Sequence, residues 1–266
     1  MPGLPPEDVA AWARDGILAP YAVLSAAQIE AGLATVAAID AQPAEIRTGL
    51  LLHKTHLVSK TLGDICKLPG ILDRVESLIG PDILVWGANF FLKEPRSHAY
   101  VSWHQDATYW GLEPADIVTA WVALTPSSRM SGCLRVVPGS HRWPIVEHVE
   151  TYAADNLLSR GQEIAVEVDP DAVRDIPLVP GEMSLHHVRI AHNSEPNQAE
   201  HRRIGFAIRY VAAHVRPTAP DHAMLVRGRN ANGYFVEEEA GRGELVAADL
   251  ARHAASRGGS RIAQKR

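Results

Sequence analysis

Cysteine is scarce: Cys66 and Cys133 are the only two among 266 residues. Two thiols cannot frame a fold with disulfides, so both read as small buried hydrophobes in a reducing compartment. Long apolar runs are also missing. The longest, Ile83 to Leu92, falls well short of the ~20 residues that a spanning helix needs. The first residues are Pro-rich and acidic, with neither the basic nor the apolar region of a secretory leader, so a cytoplasmic location is expected. A long basic run is absent and the net charge is −5. Nucleic acid and membrane are therefore not expected partners, and a small molecule is. No internal repeat or linker divides the chain. One domain over residues 1–266 is expected, with its core at about 5–215 and a Gly- and charge-rich extension at 227–266. Oligomeric state is not legible, and a homodimer is left open.

What is present is a globular composition, 46% hydrophobic and 21% charged. Residues 6–15 read as a helix, with Pro6 in the first turn, Glu7 and Asp8 at the positive end and Gly16 at the stop. Ser25-Ala-Ala-Gln28 is a capping box that opens a helix to about Ala41, with Ile29, Leu33, Val36 and Ile39 on one face. A weak helix is expected near Ser59 to Leu68 and a clearer one from Gly70 to Ile79. Beyond Gly80-Pro81-Asp82 the pattern changes to short β-branched and aromatic segments: 83–93, 117–124, 134–137, 163–168, 176–179, 183–187 and 203–211. Helices first, then many strands without helical crossovers, predict an antiparallel barrel or jelly roll with helices packed outside. A last helix is expected at 244–253, followed by fraying.

Chemistry concentrates around Ser102 to Trp110, with His104-Gln105-Asp106 at its centre. On a strand, residues i and i+2 share a face, so the imidazole and carboxylate are expected to converge. Two of three ligands of a non-haem iron centre would look like this; so would an ordinary buried His–Asp hydrogen bond. His192 lies far along the chain, and Arg203 follows it by eleven residues in Arg203-Ile-Gly-Phe-Ala-Ile-Arg-Tyr. On that strand Ile204, Phe206 and Ile208 share one face. Arg203 shares the other with Gly205, Ala207 and Arg209, where small neighbours leave room for a bidentate clamp on a carboxylate. Lys93 ends another strand as a second candidate cation, and Arg209 is expected to form an interior or rim salt bridge. His186 and His187 must point oppositely, so at most one can face a site.

Trp-His-Gln-Asp-Ala-Thr-Tyr-Trp, Val-Val-Pro-Gly-Ser-His at 136–141, Gly-Glu-Met-Ser-Leu-His-His at 181–187, His-Asn-Ser-Glu-Pro-Asn and Arg-Arg-Ile-Gly occur in this order. The set closely resembles the phytanoyl-CoA dioxygenase family over roughly residues 5 to 215. The resemblance implies an Fe(II)- and 2-oxoglutarate-dependent oxygenase using O₂, on a double-stranded β-helix, a cupin-like jelly roll. It implies iron ligation by His104, Asp106 and His192. Arg203 would bind the distal carboxylate of 2-oxoglutarate with Ser194 beside it, and Lys93 and Trp121 would line the co-substrate pocket. Relatives often carry Asn-Gly-Cys where this chain has Ser131-Gly132-Cys133, a departure expected to touch a loop rather than the metal. Related halogenases replace the carboxylate with a small residue, so Asp106 favours hydroxylation. Hydroxylation of a small metabolite, with succinate and CO₂ released, is the expected activity. An aminophosphonate-like anion is one candidate substrate, and a non-enzymatic cupin-like binding module is the competing reading. His53, His56, Thr108, Tyr109 and Arg129 are candidate substrate contacts, and His141 is expected to support a loop. No dense basic patch suits the phosphates of coenzyme A.

Overall fold

A computed structural model describes residues 3–158 and 160–257. Two β-sheets face each other, as expected of the jelly roll. The large one has seven strands in the spatial order 17–22, 182–187, 117–123, 203–212, 83–93, 221–227 and 235–237. The small one has four, in the order 101–104, 192–194, 134–136 and 174–176. The pairings are antiparallel except for the outermost one, between 221–227 and 235–237.

The large sheet has two differently occupied faces. Val85, Phe90, Val122, Phe206 and Ile208 point outward and pack with Val36, Ile39, Leu62, Ile71 and Val75 of the helices. Trp121, Ala123 and Ala207 point inward and meet Leu134 and Val136 of the small sheet. Alternation along each strand makes this division. Each strand therefore contributes to the helix-covered core and to the space between the sheets.

The helices follow their end signals. Pro6–Asp15 stops at Gly16, which adopts φ 71° and donates its N–H to Trp12 O. Ser25 and Gln28 cap one another at the start of Ala26–Asp40. The weak helix is Lys60–Ile65, capped by the Ser59 hydroxyl, and the clearer one is Pro69–Ile79.

Several boundaries differ from expectation. The 163–168 and 176–179 segments become the short strands Gln162–Ile164 and Arg174–Ile176. Asp221–Arg227 is a sheet strand against 83–93, so the core extends past residue 215. The extension beyond 227 is also integrated. Glu244 accepts from the Thr61 N–H and the hydroxyls of Ser59 and Thr35, and its helix is Ala247–Arg257 rather than 244–253. The fraying expected beyond that helix lies outside the described residues. No described helix is long and apolar enough to cross a membrane, and Cys66 and Cys133 are both free and buried.

Candidate metal and co-substrate site

The cleft between the sheets gathers His104, Asp106, His192, Ser194, Trp121 and Arg203. His104 and His192 are register partners on neighbouring strands of the small sheet, with ring centroids 4.0 Å apart. Asp106 arrives by a different route from the one expected. The strand ends at His104; Asp106 has helical dihedrals (φ −56°, ψ −39°) and opens the short helix Ala107–Trp110. A turn, and not the alternation of a strand, swings the carboxylate back toward the imidazole. Asp106 Oδ1 lies 3.4 Å from His104 Nε2.

The donor atoms of His104, Asp106 and His192 lie within 4.8 Å of one another. Both imidazoles are oriented from behind. His104 Nδ1 donates to Ser102 O at 2.9 Å, and His192 Nδ1 donates to Ile190 O at 3.0 Å. A carbonyl can only accept, so each Nδ1 carries a proton and Nε2 is left as the ligand atom. Burial pushes His192 well below its ordinary pKa, which keeps it neutral. Burial opposes the charge on Asp106, yet its close approach to His104 and the nearby His192 and Arg209 hold its carboxyl below the usual range. Two imidazoles oriented by backbone carbonyls, together with one carboxylate, suit iron(II).

Arg203 stands at one end of the cleft on the large sheet, 2% exposed. One terminal nitrogen donates to Gly132 O at 2.5 Å, and its Nε has no hydrogen-bond partner. Among the described residues it forms no ion pair with a carboxylate. Burial lowers its pKa to about 10, leaving it charged near neutrality. A buried guanidinium in this state is costly unless an anion joins it, so the site fits an incoming carboxylate. Its Cζ lies 5.3 Å from the Trp121 ring. The indole rests directly on Gly205, where an added Cβ would stand 1.9 Å from Trp121. Gly132 is equally constrained: its φ is 67°, and a Cβ there would meet Glu195 O at 2.0 Å. The Ser131-Gly132-Cys133 loop therefore does more than connect strands, since its carbonyl holds the arginine.

A model of the phytanoyl-CoA dioxygenase (PhyH) family matches residues 12–205. The chain belongs to the phytanoyl-CoA dioxygenase family. A protein of Stutzerimonas stutzeri named "Probable alpha-ketoglutarate-dependent hypophosphite dioxygenase" is 30% identical over 168 residues, covering 62% of this chain and 58% of that protein. The peroxisomal phytanoyl-CoA dioxygenase of Homo sapiens is 40% identical over 93 residues, or 34% of this chain and 28% of that one. The chain spans about half the length of the curated relatives it matches. Among solved structures, the non-heme monooxygenase ThoJ in its apo form superposes with a TM-score of 0.83 at 35% identity, covering 93% of this chain and 94% of that one. A nickel complex of ThoJ gives 0.78 at 32%, with the same coverage.

The remaining candidates of this phytanoyl-CoA dioxygenase family member are distributed unevenly. Lys93 is 1% exposed and stands behind Ser194, which lines the cleft. Its Nζ donates to Ser194 O at 3.0 Å and to Glu195 O and also bonds the Ser194 hydroxyl, so it fixes the segment after His192. Burial, helped by the charge of Arg203, lowers its pKa to about 6. The salt bridge expected for Arg209 is not formed with any described carboxylate. Arg209 instead donates to Asn89 Oδ1 and stacks over Trp110, its Cζ 5.3 Å from the ring centroid. His186 faces the cleft, 5.0 Å from the His192 ring, while His187 turns away to Trp12 and His141.

His56 is fully buried outside the cleft, and Arg129 sits on the outer surface near Asp175. Tyr109 and Thr108 pack around His148, and His53 lines a small neighbouring chamber with Lys54 and Trp86. His141 Nε2 donates to Ala13 O, 3.3 Å away. Thr119, Phe91, Leu134 and Asn193 were not singled out from sequence, yet they line the cleft. The alternation that places Trp121 inward was enough to place Thr119 there too.

Proposed function

We propose that this chain is an Fe(II)- and 2-oxoglutarate-dependent oxygenase that hydroxylates an unactivated C–H bond of a small molecule. One observation carries the reading: the His104–Asp106–His192 triad, with both imidazoles buried, and a buried Arg203 that pairs with no carboxylate among the described residues open into the same cleft. A binding module needs no such combination. The triad would hold iron, and Arg203 would take the distal carboxylate of 2-oxoglutarate. When bound, iron(II) and 2-oxoglutarate supply an oxidant from O₂ that hydroxylates the substrate, with release of succinate and CO₂.

The chain's own residues do the positioning. Ser102 O and Ile190 O hold the two imidazoles by their Nδ1 protons. Lys93 fixes Ser194 and Glu195 at the mouth of the Arg203 subsite. Trp121 covers the guanidinium with an apolar ring and keeps water from it. Asp106 retains the carboxylate position that a halogenase gives up, which favours hydroxylation.

The likeness to a protein named for hypophosphite supports a small anionic substrate. The test is incubation with Fe(II), 2-oxoglutarate and O₂ against a panel of phosphorus oxyacids, carboxylates and neutral metabolites. Mass spectrometry should find succinate together with a product that has gained one oxygen atom, and neither with His104→Ala. Absence of succinate from the wild-type protein across the panel contradicts the proposal.

A further inference from the structure

The end of the cleft opposite Arg203 is built differently. Arg209 lies six residues further along the same strand, roughly 20 Å away at ordinary strand rise. Across the sheet it pairs with Thr119, and Thr119 pairs with His186, so the three side chains form one cross-strand row on the cleft wall. Thr119 is 2% exposed and His186 3%. Arg209 Nε, Thr119 Oγ1 and His186 Nδ1 are all shielded from solvent, and none has a hydrogen-bond partner. Buried polar atoms without partners are rare and costly, and three in one row on a cleft wall mark a place where a ligand completes the bonding.

We propose that Arg209, Thr119 and His186 form the substrate subsite, and that it accepts an oxyanion, carboxylate or phosphorus oxyacid, of the molecule to be oxidised. This rests on the oxygenase reading and adds the residues that would hold its anionic substrate. Arg209 Nε–H and the Thr119 hydroxyl are donors, and a neutral imidazole can supply one more. Asn89 and the Trp110 ring hold the guanidinium plane in place.

Charge points the same way. Asp106 and the two carboxylates of 2-oxoglutarate bring three negative charges to the cleft. Iron(II), Arg203 and Arg209 bring four positive ones. Asp106 is the acid that faces Arg209 most directly, and the metal would engage it. One positive charge is left, which a monoanionic substrate would neutralise. His104 and His192 lie on the sheet opposite this row, and the His186 ring stands 5.0 Å from that of His192, so a substrate anchored there would lie beside the metal.

The experiment is anaerobic calorimetric titration of the Fe(II)- and 2-oxoglutarate-loaded protein with methylphosphonate and with propionate, using propionamide as the neutral control. At least one anion should bind saturably and propionamide should not; which anion binds distinguishes the two oxyanion sources. Arg209→Met should weaken that binding ~10-fold or more and Thr119→Val ~3-fold or more, from the loss of charge-assisted and neutral hydrogen bonds respectively. Both variants should leave the 2-oxoglutarate titration within about twofold of wild type. Arg209→Lys, which keeps the charge without the fork, should fall between wild type and Arg209→Met.

Thr119→Val is nearly isosteric and keeps the test open should Arg209→Met fail to fold. The proposal is overturned if neither anion binds the wild type, if Thr119→Val and Arg209→Met bind as well as wild type, or if they lose 2-oxoglutarate together with the anion. Failure of the underlying oxygenase reading shows itself separately, as wild-type protein that does not load 2-oxoglutarate at all.

Discussion

The two faces of the strand Arg203–Ala212 contrast in almost every physical respect, though they alternate residue by residue. Ile204, Phe206, Ile208 and Tyr210 face the helices and close a core in which the aromatic rings of Phe90 and Phe206 lie 5.1 Å apart. Arg203, Gly205, Ala207 and Arg209 face the small sheet, where two cations are separated by residues small enough to leave a cleft. One face contributes stability through burial. The other holds charge in a place where charge is costly. The lesson is a division of labour: helix-side packing keeps rigid a surface whose cleft side is left incompletely satisfied.

Substitutions on each face should break that division selectively. The largest effect is expected from His104→Ala or Asp106→Ala. Each should abolish iron binding, read by metal analysis, and turnover, read as succinate, while the fold melts normally. Phe206→Ala, on the helix side, should cost about 3–5 kcal/mol of stability by denaturant unfolding, yet leave the 2-oxoglutarate affinity of the folded fraction intact. Arg203→Met should do the reverse, weakening 2-oxoglutarate ~10- to 100-fold by direct titration, the loss of a charge-assisted pair of hydrogen bonds, with little change in melting.

Gly205→Ala sharpens the comparison. The new methyl group would displace Trp121 on the cleft side, so co-substrate affinity should fall by more than a general loss of stability explains. The smallest effect concerns His187. Burial lowers its pKa to about 4, and its Nδ1 accepts the Arg189 N–H at 3.0 Å. The unfolded chain takes up this proton at its ordinary value, before the folded chain does. The stabilisation from neutral His187 is therefore complete above pH 6.5 and is lost as pH falls from 6.5 through 4. His187→Gln should flatten the pH dependence of unfolding in that window by ~1–2 kcal/mol, after discount for its partial exposure.

The face assignment of Arg203 was legible because alternation is a local property of a strand. So was the opposition of His186 and His187, although not which of the two would turn inward. The convergence of Asp106 on His104 was legible in outcome but not in cause. Strand alternation predicted it, whereas the chain uses a turn that begins at Asp106 itself.

The role of Lys93 was not visible, because its contacts at Ser194 and Glu195 lie about a hundred residues away in sequence and depend on how the small sheet docks. Asp221–Arg227 was missed as a strand for a similar reason. It gains its structure from pairing with Ile83–Lys93, and its own pattern is weak. Likewise, the cross-strand row of Arg209, Thr119 and His186 needs the register of three strands, which no single segment encodes.

The account rests on a cleft that holds iron(II) through His104, Asp106 and His192 and 2-oxoglutarate through Arg203. The most direct test is an anaerobic titration of the protein with Fe(II) and 2-oxoglutarate, followed by visible absorption. A weak charge-transfer band should grow to saturation at one equivalent of each. It should vanish with Asp106→Ala and demand far more 2-oxoglutarate with Arg203→Met. A wild-type protein that binds iron yet gives no such band, or a band indifferent to both substitutions, would contradict the account.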